Sequence, residues 1–316
     1  MNNFIGICKM TQPEVKAYMK DCLTNLGYNV IDEDGFLYAK GDVPVLLVAH
    51  MDTVHKEQCY NVVIADGTIS SPQGIGGDDR CGVYIIRQLV KDLHCSVLLC
   101  EDEEKGGIGA RKFTKTDYIN NLDVNYMIEF DRKGNKDAVF YSCDNAEWTD
   151  FVCDATGFEE AHGSFSDISV LMPAAKIAGV NLSSGYYNAH TTSEYVVPSD
   201  MEMTIEMAAA LIESECTEPF EYVAKKYESS RPSNRYNYSG GYQYDLFRDF
   251  HSLQTMTAAE VELENSDIEL EVIIPDEMDM ERAVCVSGKT KAECWMRFFL
   301  QYPDYSFNDI TTYSWS

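Results

Sequence analysis

Residues 43–52 read VPVLLVAHMD, a nearly unbroken apolar run from Val43 to Ala49 that stops at His50 and Asp52. A run this short, with no helical spacing, reads as a strand covered on both faces, which is how strands inside a parallel sheet are written. Polar residues begin where the strand ends. Ligands of open parallel sheets bind beyond the carboxyl ends of the strands, so this stretch predicts both a fold class and a location for chemistry.

The pattern recurs outward. Ser96 to Cys100 is a second apolar run, ending in Glu101, Asp102, Glu103 and Glu104; Val124 to Phe130 is a third, ending in Asp131; Lys176 to Leu182 is a fourth. Helical spacing fills the gaps: Val83, Ile86, Leu89, Val90 and Leu93 share one face. Thr11 to Glu14 forms a capping box ahead of Val15, Met19, Cys22, Leu23 and Leu26, and Ser199 to Glu202 is expected to open the last helix in the same way. Tyr28–Ile31 and Phe36–Ala39 flank a turn at 32–35. Strands alternating with helices predict an α/β fold with a doubly wound, mostly parallel sheet flanked by helices. Around residues 227–244 the composition turns to Ser, Asn, Tyr and Gly without apolar period, a polar linker between a domain at 1–226 and a small acidic α+β module at 245–316. In that module Ile268, Leu270, Val272 and Ile274 alternate as a half-buried strand, and Lys289 to Tyr302 is expected to be helical, with Gly288 to Thr290 as its start rather than a phosphate loop.

Composition narrows the function. With 52 acidic against 25 basic residues the net charge is -27, which repels phosphate backbones and anionic lipid, so neither nucleic acid nor membrane is an expected partner. No run is long and apolar enough to span a bilayer and the N-terminus lacks an export pattern, which predicts a cytoplasmic chain. The 11 cysteines, scattered and without a C-x-x-C pair, fit reduced thiols.

Chemistry concentrates at the strand ends. His50 and Asp52 are two apart, so an extended chain points both the same way, and the imidazole could bind a metal while the carboxylate orients it. The bland alternative is two polar residues at a loop start. Gly74 to Gly82 reads GIGGDDRCG, glycines that let backbone approach a site before Asp78 and Asp79 open a helix; an acidic cap on a glycine turn is the plainer reading. Of the adjacent Glu103 and Glu104, one can hold a metal while the other takes a proton from attacking water. Acidic runs are more often solvated loops. Asp131 lies past the third apolar run, with Glu129 on the same face as the competing candidate. His190 stands in a loop before the last helix, where a lone histidine carries little by itself.

Taken in order, His-x-Asp, Gly-Gly-Asp-Asp, Glu-Glu-x-Gly-x-x-Gly-Ala, Asp and His resemble the co-catalytic dizinc peptidase superfamily of leucyl-type aminopeptidases, peptidase T, acetylornithine deacetylase relatives and tetrahedral aminopeptidases, over residues 10–215. The resemblance implies two divalent ions, zinc foremost with cobalt or manganese as alternatives. His50 and Asp131 would hold one, His190 and Glu104 the other, and Asp78 would bridge them. It further implies that Asp52 orients His50, that Glu103 is the general base, that the Asp78–Asp79 peptide is cis, and that His162 to Asp167 forms part of the substrate pocket. Several relatives insert a lid or dimerisation domain; here only 28 positions separate His50 from Asp78 and 59 separate Asp131 from His190, which leaves no room for one. The expected substrate is a peptide or small-molecule amide. An aminopeptidase is the leading reading, with an N-acyl amino acid deacylase, a carboxypeptidase or dipeptidase, and a non-catalytic binding protein on the same fold as alternatives. Glu101, Asp102, Glu129 and Glu194 near the motifs, against Arg80 and Arg132 alone, favour recognition of a free N-terminal amine.

Overall fold

In the computed structural model the apolar run is strand β3, preceded by β1 (Val30–Glu33) and β2 (Phe36–Ala39) and spanning Val43–His50. The structure describes residues 2–225 and the backbone of 268–275, 281–288 and 312–315. The strands that follow are β4 (Val63–Ala65), β5 (Thr68–Ser70), β6 (Cys95–Cys100), β7 (Tyr126–Arg132), β8 (Asp137–Val139), β9 (Glu159–Ala161), β10 (Gly179–Ser183), β11 (Tyr186–Tyr187) and β12 (Tyr195–Val196). The helices are α1 (Asn2–Cys8), α2 (Gln12–Asn25), α3 (Gly77–Leu89), α4 (Ile108–Phe113), α5 (Asp117–Asn120), α6 (Ala146–Thr156), α7 (Asp167–Ala175) and α8 (Pro198–Glu213).

Eight strands form one sheet in the order β1-β2-β6-β3-β7-β10-β8-β9. Its middle, β6-β3-β7-β10, is parallel throughout, whereas β2 joins β6 and β8 joins β10 antiparallel. Every residue of β6 and β10 is buried, as are the last six of β3. Burial of both faces explains the unbroken apolar runs. Helices α3 and α7 each pack along β3 and β7. A smaller sheet, β11-β12-β5-β4, carries the segments that lead into Asp78 and that flank His190.

Two local expectations hold, one is corrected, and one helix was not anticipated. Glu14 Oε2 accepts from the Thr11 amide at 2.8 Å, closing the capping box ahead of α2. The β1–β2 turn places Gly35 at φ 101°, a left-handed conformation that glycine adopts without steric cost. Helix α8, however, is not opened by Ser199: its N-cap is Val197, and Pro198 takes the first position, where its fixed φ suits a helix start and its missing N–H loses no bond. Helix α1 was not expected at all. Its seven residues are too few to show a period, yet Phe4 and Ile7 are fully buried and Phe4 meets Tyr84 of α3 edge-on at 5.6 Å.

The chain divides into two units, Met1–Ser230 and Arg231–Ser316. In the second, β13 (Ile268–Pro275), at the expected alternating strand, pairs antiparallel with β14 (Glu281–Gly288) and β15 (Thr312–Trp315). The linker at 227–244 and the helix at Lys289–Tyr302 lie outside the described residues.

Candidate metal centre

At the carboxyl ends of β3, β6 and β7 the structure gathers all seven residues named from the sequence. His50, the last residue of β3, is fully buried. Its Nδ1 lies 3.1 Å from Asp52 Oδ1. Asp52 also accepts the amides of Glu103 at 3.0 Å and Glu104 at 3.2 Å, where a single 3-10 turn, Glu103–Lys105, follows β6. An acceptor oxygen faces His50 Nδ1 there, so a neutral ring carries its proton on Nδ1 and turns the Nε2 lone pair toward Asp78.

Asp78 stands between the two histidines. Its Oδ1 is 3.1 Å from His50 Nε2, and its Oδ2 is 3.1 Å from His190 Nε2. Asp131 Oδ1 lies 3.7 Å from His50 Nε2 and Glu104 Oε1 lies 3.2 Å from His190 Nε2. Asp78 thus turns one oxygen to each histidine, with Asp131 near His50 and Glu104 near His190. The Asp78–Asp79 peptide is cis, as the resemblance implies. Asp79 is fully buried and accepts the His50 amide at 3.2 Å and the Gly82 amide at 2.9 Å, with a carboxylate oxygen within 4.8 Å of ligand atoms of His50 and Asp131.

Burial and close approach shift several groups of this cluster. Nitrogen lone pairs and carboxylate oxygens face one another, a repulsive arrangement unless a proton or a cation lies between them. Asp78, followed by Glu104, pushes His190 up to about 11. Burial alone would keep His50 neutral, but Asp131, Asp52 and Asp78 raise it well above the ordinary range. Burial, joined by Asp78, pushes Asp131 up to about 6, and burial with Asp131, Asp167 and Glu104 pushes Glu103 up to about 10. Glu104 Oε1 is buried without a hydrogen-bond donor, although His190 Nε2 is close by. Asp78, Glu104 and His190 offer ligand atoms within 4.8 Å of one another, as do His50, Glu103 and Glu104 and also His50, Asp79 and Asp131, and such nitrogen and carboxylate donors suit divalent cations of the zinc, cobalt or manganese kind. The donor set fits the implied ions.

Asp131 rather than Glu129 faces His50, for a reason the sequence did not show. Strand β7 continues through Arg132, so Asp131 is not beyond the strand as expected; the pairing with β10 shifts register there. Asn181 bridges the irregularity, accepting from the Asp131 amide at 2.8 Å and donating to the Asp131 carbonyl at 2.7 Å. Glu129 instead turns to Ser166 and the Ile168 amide and is fully buried. Ser166 Oγ also reaches Asp131 at 3.1 Å, so the His162–Asp167 loop meets the centre through that serine, while His162 is exposed. The Tyr186 hydroxyl donates to Asp131 Oδ1 at 3.1 Å.

The charges expected to receive a substrate terminus are engaged elsewhere. Glu101 binds Lys16 at 3.2 Å and the Gly35 amide at 2.7 Å; Asp102 binds Lys105 at 2.8 Å; Glu194 is fully buried against backbone amides and His55. Arg80 donates to the carbonyls of Met51 and Met10, and Arg132 to Asp137. The acid-rich surroundings read from the sequence therefore form no open amine receptor from these four groups, because backbone donors and lysines claim them first. None of the described helices is long and apolar enough to cross a membrane.

No protein-family model matches the chain, and no curated protein matches it. Solved structures do. An aminopeptidase PepT from Bacillus cereus ATCC 10987 superposes with a TM-score of 0.58 at 17% identity, covering 67% of this chain and 96% of that one. A tripeptidase from Staphylococcus aureus subsp. aureus Mu50 gives 0.56 at 14% identity, covering 67% and 96%. An aminopeptidase from the archaeon Desulfurococcus kamchatkensis gives 0.51 at 13% identity, covering 67% and 95%. Over two thirds of its length this chain has the α/β fold of these peptidases, with a mostly parallel sheet flanked by helices.

Proposed function

We propose that the chain is a metal-dependent hydrolase of the co-catalytic dizinc peptidase type, cleaving an amide bond in a peptide, with aminopeptidase as the leading activity. One observation carries the reading: Asp78 presents one carboxylate oxygen to each of two histidines, 3.1 Å from both, with Asp131 on one side and Glu104 on the other. In this reading His50 and Asp131 hold one ion, His190 and Glu104 the other, and Asp78 both. Two divalent ions would supply positive charge that polarises a carbonyl, acidifies water and offsets the buried carboxylates.

The chain's own groups do the rest. Asp52 fixes the His50 tautomer and, through the Glu103 and Glu104 amides, sets the turn that carries both carboxylates. Glu103, nearly buried and with no hydrogen bond to restrain its carboxylate among the described residues, takes the proton of the attacking water and returns it to the departing amine nitrogen. Tyr186 and Ser166 hold Asp131 in place from two directions.

Preference for a free N-terminus is supported by what the structural neighbours are called, aminopeptidase and tripeptidase, rather than by the four acids that the sequence brought forward. The test compares an unblocked peptide with its N-acetylated twin across zinc, cobalt and manganese. Faster cleavage of the unblocked peptide is expected. Faster cleavage of the acetylated one would replace the aminopeptidase reading with the N-acyl amino acid deacylase or carboxypeptidase alternative.

A further inference from the structure

Glu194 is fully buried, and no role in the chemistry proposed above uses it. Three donors converge on its two oxygens: the Asp78 amide on Oε1 at 3.0 Å, and the Gly76 amide and His55 Nε2 on Oε2, each at 2.8 Å. It closes the loop between β11 and β12 that bears His190. That loop is otherwise tied mainly to itself, through Thr191 Oγ1 to the Asn188 carbonyl at 2.8 Å and the Glu194 amide to the Thr191 carbonyl at 3.2 Å. His190 keeps a side chain 56% exposed.

The glycines opposite show how closely the two segments meet. A Cβ on Gly77 would stand 2.7 Å from Tyr186 Cβ and 3.3 Å from Glu194 Oε1, and one on Gly74 would stand 2.2 Å from the His55 ring. Bare backbone is needed there so that its amides can reach the carboxylate. We infer that Glu194 is a positioning residue that clasps the Asp78 turn to the His190 loop, and so sets the distance between two metal ligands without touching an ion. The inference rests on the dimetal reading.

A carboxylate is required because an amide side chain has one acceptor. In Glu194→Gln the new NH2 must face either the Asp78 amide or the Gly76 amide, donor against donor, whichever way it turns. His55 can change tautomer to accommodate it, but a peptide N–H cannot. Asp78 then shifts against His190, and metal affinity falls. Groups that orient metal ligands from behind are worth about 10–100-fold in affinity when removed.

The test strips the full chain of metal and titrates it with cobalt(II), following heat by calorimetry and visible absorbance, with thermal unfolding of the metal-free forms recorded beside it. Wild type is expected to take up two cobalt ions; Glu194→Gln, folded, should bind at least tenfold more weakly with an altered cobalt spectrum, and Glu194→Asp, too short to reach both amides, should fall between. The spectrum reports ligand geometry, which a loss of fold stability alone does not move. Wild-type affinity and spectrum in folded Glu194→Gln would overturn the inference alone, and so would failure of both variants to fold without metal, which would make Glu194 a residue of the fold. Absence of cobalt binding by wild type would overturn the dimetal reading and the inference with it.

Discussion

Replacing Asp52 by Asn isolates the contribution of one carboxylate to the whole centre. Asp52 Oδ1 serves His50 Nδ1 and the Glu103 amide, while Oδ2 serves the Glu104 amide. Burial by itself would raise this carboxyl, but its bond to His50 and the amide bonds outweigh that and hold it below the ordinary range, so the wild-type group is ionised. With the amide nitrogen at the Oδ2 position, the Glu104 N–H loses its acceptor. With the nitrogen at Oδ1, the Glu103 N–H loses its acceptor and His50 must move its proton to Nε2, closing the lone pair that faces Asp78. A hydrogen bond to a charged acceptor contributes about 1.5–3 kcal/mol, and each 1.4 kcal/mol or so is a factor of about ten in binding. Loss of one such bond therefore predicts metal affinity about 10–100-fold weaker, consistent with the usual cost of removing a group that orients a metal-bound histidine. Calorimetric titration of metal-free Asp52→Asn with zinc, beside wild type, measures it. Unchanged affinity together with unchanged turnover would refute the reasoning that Asp52 orients His50.

Glu103→Gln should keep its fold and metal yet lose about 10²–10⁴ in turnover, the usual worth of a general base; near-normal kcat would move the base to another group. A chain shortened to end after Lys225 should remain folded and keep its metal, because the Lys225 amide still donates to the Ser142 carbonyl at 2.9 Å and the Phe220 ring still packs against Trp148 with centroids 5.0 Å apart. Ending it after Cys216 should lower Tm by several degrees, since Phe220 would leave a gap against Trp148, Tyr126 and Phe151. Equal melting temperatures for the two shortened chains would show that this packing contributes little.

The central strands were legible because double-sided burial writes itself as an apolar run, and the strand-end positions of His50 and Glu104 followed from it. Asp52 was legible through alternation alone. Asp78, Asp131 and His190 were not distinguishable one at a time; their order along the chain carried them. The groups that hold this cluster in shape stayed hidden for physical reasons. Glu194 sits in loop text where a solvated acid looks the same, and only the tertiary approach of Gly76 and Asp78 makes it an acceptor of buried amides. Asn181 left a signal, a lone amide side chain inside the apolar run from Lys176 to Leu182, where burial demands a partner. It pairs with the backbone of Asp131 at the register shift, which no one-dimensional pattern records.

The most direct test of the account is the number of metal ions per chain. Protein freed of metal by chelation, reloaded with excess zinc and passed through a desalting column, should carry two zinc ions per chain by elemental analysis, and the same treatment of His190→Ala should leave clearly fewer. Wild type that retains no zinc, and none of cobalt or manganese under the same loading, would contradict the account.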